Sequence, residues 1–266
     1  MTSHRIETLA EGVTLILGDC LDVLPTIESV DHVLTDPPYE KHMHVAKDKA
    51  RGEKVYGSKR RIRIDGHANP KPVQFASIDG IRETVTPLMV KVCKGWLAIF
   101  CTPEGVAPWR DSIETAGARY KRACIWNKPD SAPQFNGQGP AMGAEMFVTA
   151  WCGYGFSKWN GGGRRNVFTH STNQSDRHGE HETEKPISLM LELVELFTNP
   201  GDLICDPFCG SGTTGIAAVR SGRKFIGIEK NERWFDLSCE RIRSTLDQPD
   251  MFIEKPKPAV QETLGI

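Results

Sequence analysis

Short apolar runs recur along the chain, each closed by a turn or helix signal: Thr14 to Leu17, His32 to Thr35, Trp96 to Phe100, Ala123 to Trp126, Met146 to Ala150, Leu203 to Cys205 and Phe225 to Ile228. Several lack polar alternation, the pattern of strands covered on both faces. Helical patterns lie between some of them. The clearest is Pro186 to Phe197, with Pro at an early helical position, Leu189, Leu193, Val194 and Phe197 on one stripe, and Asn199-Pro200-Gly201 as the stop. Strands alternating with helices predict an α/β domain with a mostly parallel sheet.

Two stretches break this rhythm. Residues 40–75 have little periodicity and form a basic loop insertion: Glu40 to Pro72 holds ten Lys or Arg against four acids, a local charge of +6 in a chain of net charge -1. Clustered cations, not net charge, are what phosphate binding rewards. A solvated surface loop is the alternative. Residues 129–180 hold nine glycines, the Arg164-Arg165 pair and seven of the 21 aromatics. Such a segment offers stacking surfaces and cations to nucleic acid, or else packs its aromatics against the core.

With 266 residues, 39% of them hydrophobic, the chain suits one large domain spanning 1–266. No apolar run approaches the roughly 20 residues that span a bilayer, and no signal-peptide core opens the chain, so a cytosolic protein is expected. The eight cysteines form no C-x-x-C pair and fall largely in apolar runs. They are expected to be buried reduced thiols, with no metal site and no disulfide framework.

Two motifs carry chemistry. In the first, Leu203-Ile204-Cys205-Asp206-Pro207-Phe208-Cys209-Gly210-Ser211-Gly212-Thr213-Thr214-Gly215, a buried strand leads through a glycine turn into a helix, and a second strand ends in Glu229. The glycines allow a sharp turn and close approach to a ligand, and an acid at the next strand end suits ribose hydroxyls. The same spacing satisfies the dinucleotide fingerprint, which keeps a nicotinamide-dependent dehydrogenase as a rival. The second motif is Asp36-Pro37-Pro38-Tyr39 after the run His32 to Thr35. Prolines fix the chain and remove donors, leaving the Asp36 carboxylate and the Pro37 carbonyl as rigid acceptors beside an aromatic ring. A planar substrate bearing an amino group fits: Tyr39 stacks and the acceptors take the amino hydrogens.

In this order, the two motifs make the chain resemble the beta group of amino-directed DNA methyltransferases. Further matches are Gly18-Asp19-Cys20-Leu21, Ile125-Trp126-x-Lys128 and His181-x-Thr183-x-Lys185-Pro186. The resemblance implies a doubly wound, mostly parallel seven-stranded sheet of the class I S-adenosylmethionine-dependent methyltransferase type, with one antiparallel strand near an edge. It implies a cofactor site of Asp206, Phe208, Gly210, Ser211 and Gly212, with Thr213 and Thr214 starting the helix, Glu229 on the ribose, Asp19 near the adenine, and Lys185 and Pro186 at the methionine end. Asp36, Pro37, Pro38 and Tyr39 become the catalytic pocket, entered by a flipped base. Asp at the head of this tetrapeptide is commoner in adenine enzymes, so N6 of adenine is the expected target, with N4 of cytosine as the alternative.

Double-stranded DNA is the expected partner, with residues 129–180 as the target-recognition region and Lys41, Lys59, Arg60, Arg61, Arg63, Arg164 and Arg165 as candidate phosphate contacts. The rivals are an RNA or protein-amide methyltransferase, the dehydrogenase, which leaves Asp36 to Tyr39 unexplained, and a DNA-binding module with a degenerate cofactor site. The recognition sequence, a paired restriction endonuclease and the oligomeric state, a homodimer included, are left open.

Overall fold

The structure is a computed structural model that describes residues 4–39, 77–131, 139–172 and 184–247. The basic loop insertion, parts of 129–180 and the C-terminal tail lie outside these residues.

A hairpin begins the described chain: β1 (Arg5–Ala10) and β2 (Val13–Leu17) pair antiparallel around Gly12, whose φ of 76° favours a residue without Cβ. There follow α1 (Cys20–Val23), β3 (His32–Thr35), α2 (Arg82–Val92), β4 (Trp96–Cys101), α3 (Val106–Thr115), β5 (Arg119–Asn127), β6 (Ala144–Trp151) and β7 (Val167–Thr169). The remaining elements are α4 (Ile187–Phe197), β8 (Leu203–Asp206), α5 (Thr213–Arg220), β9 (Lys224–Glu229) and α6 (Glu232–Asp247).

All seven expected strands are present, within one sheet of order β1-β2-β9-β8-β3-β4-β6-β5-β7. The run from β2 to β5 is the expected seven-stranded unit, parallel except for β6, which is antiparallel to both β4 and β5. Two short strands widen it to nine. Half-exposed β1 and three-residue β7 were not expected, because neither carries an apolar run that stands out in the chain.

Strand β4 shows why its sequence is apolar throughout. Trp96, Ala98 and Phe100 face a layer holding Leu189 and Leu193 of α4, Ile216 of α5 and Phe235 of α6. Leu97, Ile99 and Cys101 face the other layer, with Val85 and Met89 of α2 and Trp109 of α3. Alternate side chains enter opposite cores, so neither register is polar.

The seven aromatics of residues 129–180 divide. Phe147, Trp151 and Phe168 are buried, and Trp159 packs its ring 4.9 Å from that of Phe197. Tyr154 and Phe156 are exposed. They follow the end of β6 that pairs with the start of β4, the sheet edge opposite the strand ends described next. Most of these rings therefore build core. Phe135 lies outside the described residues.

Candidate active site

Strands β2, β9, β8 and β3 lie side by side and parallel, and their carboxyl ends open onto a cleft of about 810 Å³. Between β8 and β3 the winding reverses, because the chain crosses from β8 to β9 on one side and from β3 to β4 on the other. A crevice at such a switch point is where doubly wound sheets take ligands.

Asp206 ends β8 at the floor. It accepts hydrogen bonds from Thr35 Oγ1 (2.6 Å) on β3, Thr214 Oγ1 (2.6 Å) on α5 and the Phe208 N–H (3.1 Å), tying three elements together. Burial pushes its carboxyl up to about 6, against those hydrogen bonds. The glycine turn follows, with Gly210 at φ 52° and Gly212 at φ 85°. A Cβ on Gly212 would stand 2.9 Å from Ser238 Cβ, and one on Gly215 2.7 Å from the Phe225 ring. The first pair thus shapes the turn, and Gly215 lets α5 lie against β9.

Glu229 ends β9. Its oxygens accept from the Gly210 N–H (2.8 Å) and the Asn231 N–H (2.7 Å), which lock the glycine turn to the strand end, and burial raises its pKa. Asp19 caps α1 through the Leu21 N–H (3.0 Å) and meets Lys230 Nζ at 2.7 Å. Burial alone would raise its pKa, but these partners outweigh it and the net shift is downward. Phe208, Ser211, Thr213 and Thr214 also line the cleft, whereas Gly212 and Pro186 are buried and do not line it, Pro186 being the cap of α4 at φ -60°.

The other half of the cleft belongs to Asp36, Pro37, Pro38 and Tyr39. Lys185, expected beside the methionine end of the cofactor, puts its ammonium on Asp36 Oδ2 at 2.5 Å and on the Tyr39 hydroxyl at 3.0 Å. The reason is burial: a lysine this enclosed settles among carboxylates. Two residues the sequence had not singled out as site residues complete the network. Glu145 of β6 accepts from the Tyr39 hydroxyl (2.7 Å) and meets Lys185 Nζ at 3.3 Å, and its second oxygen is bridged by Lys128.

The electrostatics follow. Burial raises Asp36, with Lys185 opposing and Glu145 reinforcing the shift. Burial and then the two carboxylates hold the Tyr39 phenol well above its ordinary value. Burial would also raise Glu145, but Lys185 and Lys128 overcome it and bring it down to about 2. Lys185 is raised, its two carboxylates prevailing over burial.

Among the described residues two carboxylate oxygens of the cleft are buried without a partner: Asp36 Oδ1 and Glu184 Oε2. The other oxygen of Glu184 is held by Arg241, which also donates to the Ser211 carbonyl at 2.7 Å. Glu184 was one of the unspecified positions in the His181 to Pro186 match, and Lys128 ended another matched run. Glu145 left only a faint signal, one acid at the head of an apolar strand.

The candidate DNA contacts fare differently. Lys41, Lys59, Arg60, Arg61 and Arg63 lie outside the described residues. Arg164 is paired with Glu192 of α4, whose other oxygen takes His170 Nε2 at 2.6 Å, while Arg165 is exposed.

A family model for DNA methylases of the N6/N4 type matches residues 30–240. The chain is 26% identical over 272 residues to the Type II methyltransferase M.HinfI of Haemophilus influenzae, covering 89% of this chain and 70% of that protein. Among solved structures, the M1.HpyAVI–SAM complex superposes with a TM-score of 0.63 at 22% identity, over 88% of this chain and 98% of the other. The cytosine-N4-specific PvuII DNA methyltransferase does so with a TM-score of 0.59 at 17% identity, over 87% and 90%.

Proposed function

Because the chain belongs to the DNA methylase family of the N6/N4 type, we propose that it methylates the N6 amino group of adenine in double-stranded DNA, in the cytoplasm. The observation that carries this is Asp36 Oδ1, a buried acceptor with no partner, in a cleft it shares with the glycine turn.

S-adenosylmethionine is the cofactor, and the residues present suit it. Glu184 Oε2 is an unpaired anionic oxygen for an ammonium group, and Asp206 is a carboxyl whose ionisation a cation would favour. Gly210 brings backbone close, and Glu229 and Asp19 stand at the strand ends where ribose and base hydroxyl and amino groups are met. When bound, the cofactor supplies a methyl group made electrophilic by its sulfonium.

The target base is beyond reach in a stacked duplex and enters by flipping, with Tyr39 as its stacking surface. The lone pair of an aromatic amine is delocalised into the ring, which makes it a poor nucleophile. Hydrogen bonds from the amine to Asp36 Oδ1 and the Pro37 carbonyl favour a tetrahedral nitrogen and free that lone pair. Catalysis is then positioning and electrostatic preorganisation. Adenine is preferred over cytosine N4 because Asp36 heads the tetrapeptide.

The test is mass spectrometry of nucleosides from methylation-deficient cells expressing the protein or its Asp36→Ala variant. N6-methyladenine with the wild type alone supports the proposal. N4-methylcytosine alone would move the target to cytosine, and unmodified DNA in both would reject DNA as the substrate.

A further inference from the structure

Five side chains behind the pocket form one closed network: Asp36 after β3, Tyr39 three residues on, Lys128 after β5, Glu145 on β6 and Lys185 before α4. With the phenol neutral, the two lysines balance the two carboxylates. Lys185 makes three contacts, to Asp36 Oδ2 (2.5 Å), the Tyr39 hydroxyl (3.0 Å) and Glu145 Oε2 (3.3 Å), and an ammonium has only three donors. The Tyr39 hydroxyl accepts from Lys185 and donates to Glu145 at 2.7 Å, so its ring is held from both sides. Every polar group of the network points to a fixed partner except one, Asp36 Oδ1.

From this arrangement we infer that Glu145 is a positioning residue for methyl transfer: by holding Lys185 and Tyr39, it leaves Asp36 with a single open acceptor for the substrate amine. The inference rests on the DNA methyltransferase function proposed above. Without the Glu145 charge, Lys185 has one carboxylate instead of two and is drawn further onto Asp36, and the Tyr39 hydroxyl is held by a weaker neutral acceptor, so Asp36 loses its fixed position. The charged and titratable groups facing Asp36 are then Lys185, Lys128, Tyr39 and Asp206. Removing the negative neighbour also takes away one cause that raises the Asp36 pKa, so the sign of the pH effect is fixed.

Glu145→Gln keeps the shape and an acceptor for Tyr39 while removing the charge. Its kcat on duplex DNA is expected to fall about 10- to 100-fold, the scale of a misplaced reacting group. The acid limb of kcat against pH should move to lower pH, while the Kd for S-adenosylhomocysteine stays within about twofold. Glu145→Asp keeps the charge but is one methylene short of Tyr39 and Lys185, so its acid limb should stay at the wild-type position while kcat still falls, and that fall at unchanged cofactor affinity carries the test if the glutamine variant does not fold. An unchanged kcat, an acid limb that does not move, or a loss that follows cofactor binding and the unfolding midpoint would overturn the role of Glu145 while leaving the function standing. A wild-type protein inactive on DNA would overturn both.

Discussion

Asp206 is a carboxyl whose ordinary pKa of 3.8 is moved to about 6 by burial. At 1.36 kcal/mol per pH unit, that difference corresponds to roughly 3 kcal/mol between its charged and neutral forms. Below pH 3.8 the group is protonated in both folded and unfolded chains and contributes no difference. As pH rises toward 6 the unfolded chain gives up this proton first, so the folded state holds more protons and stability falls. Above pH 6 the whole destabilisation is present. Asp206→Asn is neutral throughout, and other titrating groups cancel in the difference between the two proteins. The stability of the wild type minus that of Asp206→Asn, from urea unfolding at a series of pH values, should therefore drop by roughly 2.5 kcal/mol between pH 4 and pH 7. A flat difference, or one that rises with pH, would refute the assignment of a strained buried carboxylate. The same charge is useful in the cleft: a cationic ligand opposes the desolvation of Asp206, so S-adenosylmethionine binding at pH 6 should release part of a proton. Titration calorimetry in buffers of different ionisation enthalpy reads that release directly.

Other consequences are as specific. Gly212→Ala places a Cβ at φ 85° and 2.9 Å from Ser238 Cβ; left-handed backbone alone costs roughly 1–2 kcal/mol, so the unfolding free energy from urea titration should fall by at least that much. Phe197→Ala removes a ring that meets those of Trp96, Phe147 and Trp159 and should cost about 3–5 kcal/mol in the same assay. Of the eight free thiols, Cys152 alone is not fully buried, and burial pushes Cys20 and Cys124 up to about 12. A thiol reagent at pH 8 should therefore modify Cys152 first and the other seven only on unfolding.

Much of this architecture was legible in the chain because it rests on local rules. The unbroken apolar run of β4 announced a strand covered on both faces, and the Leu189, Leu193 and Phe197 stripe announced α4. The prolines of Asp36 to Tyr39 and the glycines of Gly210 to Gly215 mark backbone shapes that few other residues adopt. Strands β1 and β7 were illegible for the converse reason: they owe their existence to a neighbouring strand's free edge, not to their own apolar content. The aromatics of residues 129–180 were ambiguous, because a ring that stacks on a base and a ring that fills a core have the same sequence signature.

The α/β class, the shapes of the proline and glycine turns and the family of the chain were all readable in residue order. All of these depend on residue type and short spacing. Only the tertiary structure decided which charges share an environment. It brought Lys185 to Asp36 across 149 positions of chain, and Thr35 to Asp206 across 171. It also made Glu145 a partner of both Lys185 and Tyr39, through the antiparallel insertion of β6 beside β4. Ionisation and hydrogen bonding are set by burial and by distances of a few ångströms, and those are properties of the folded chain.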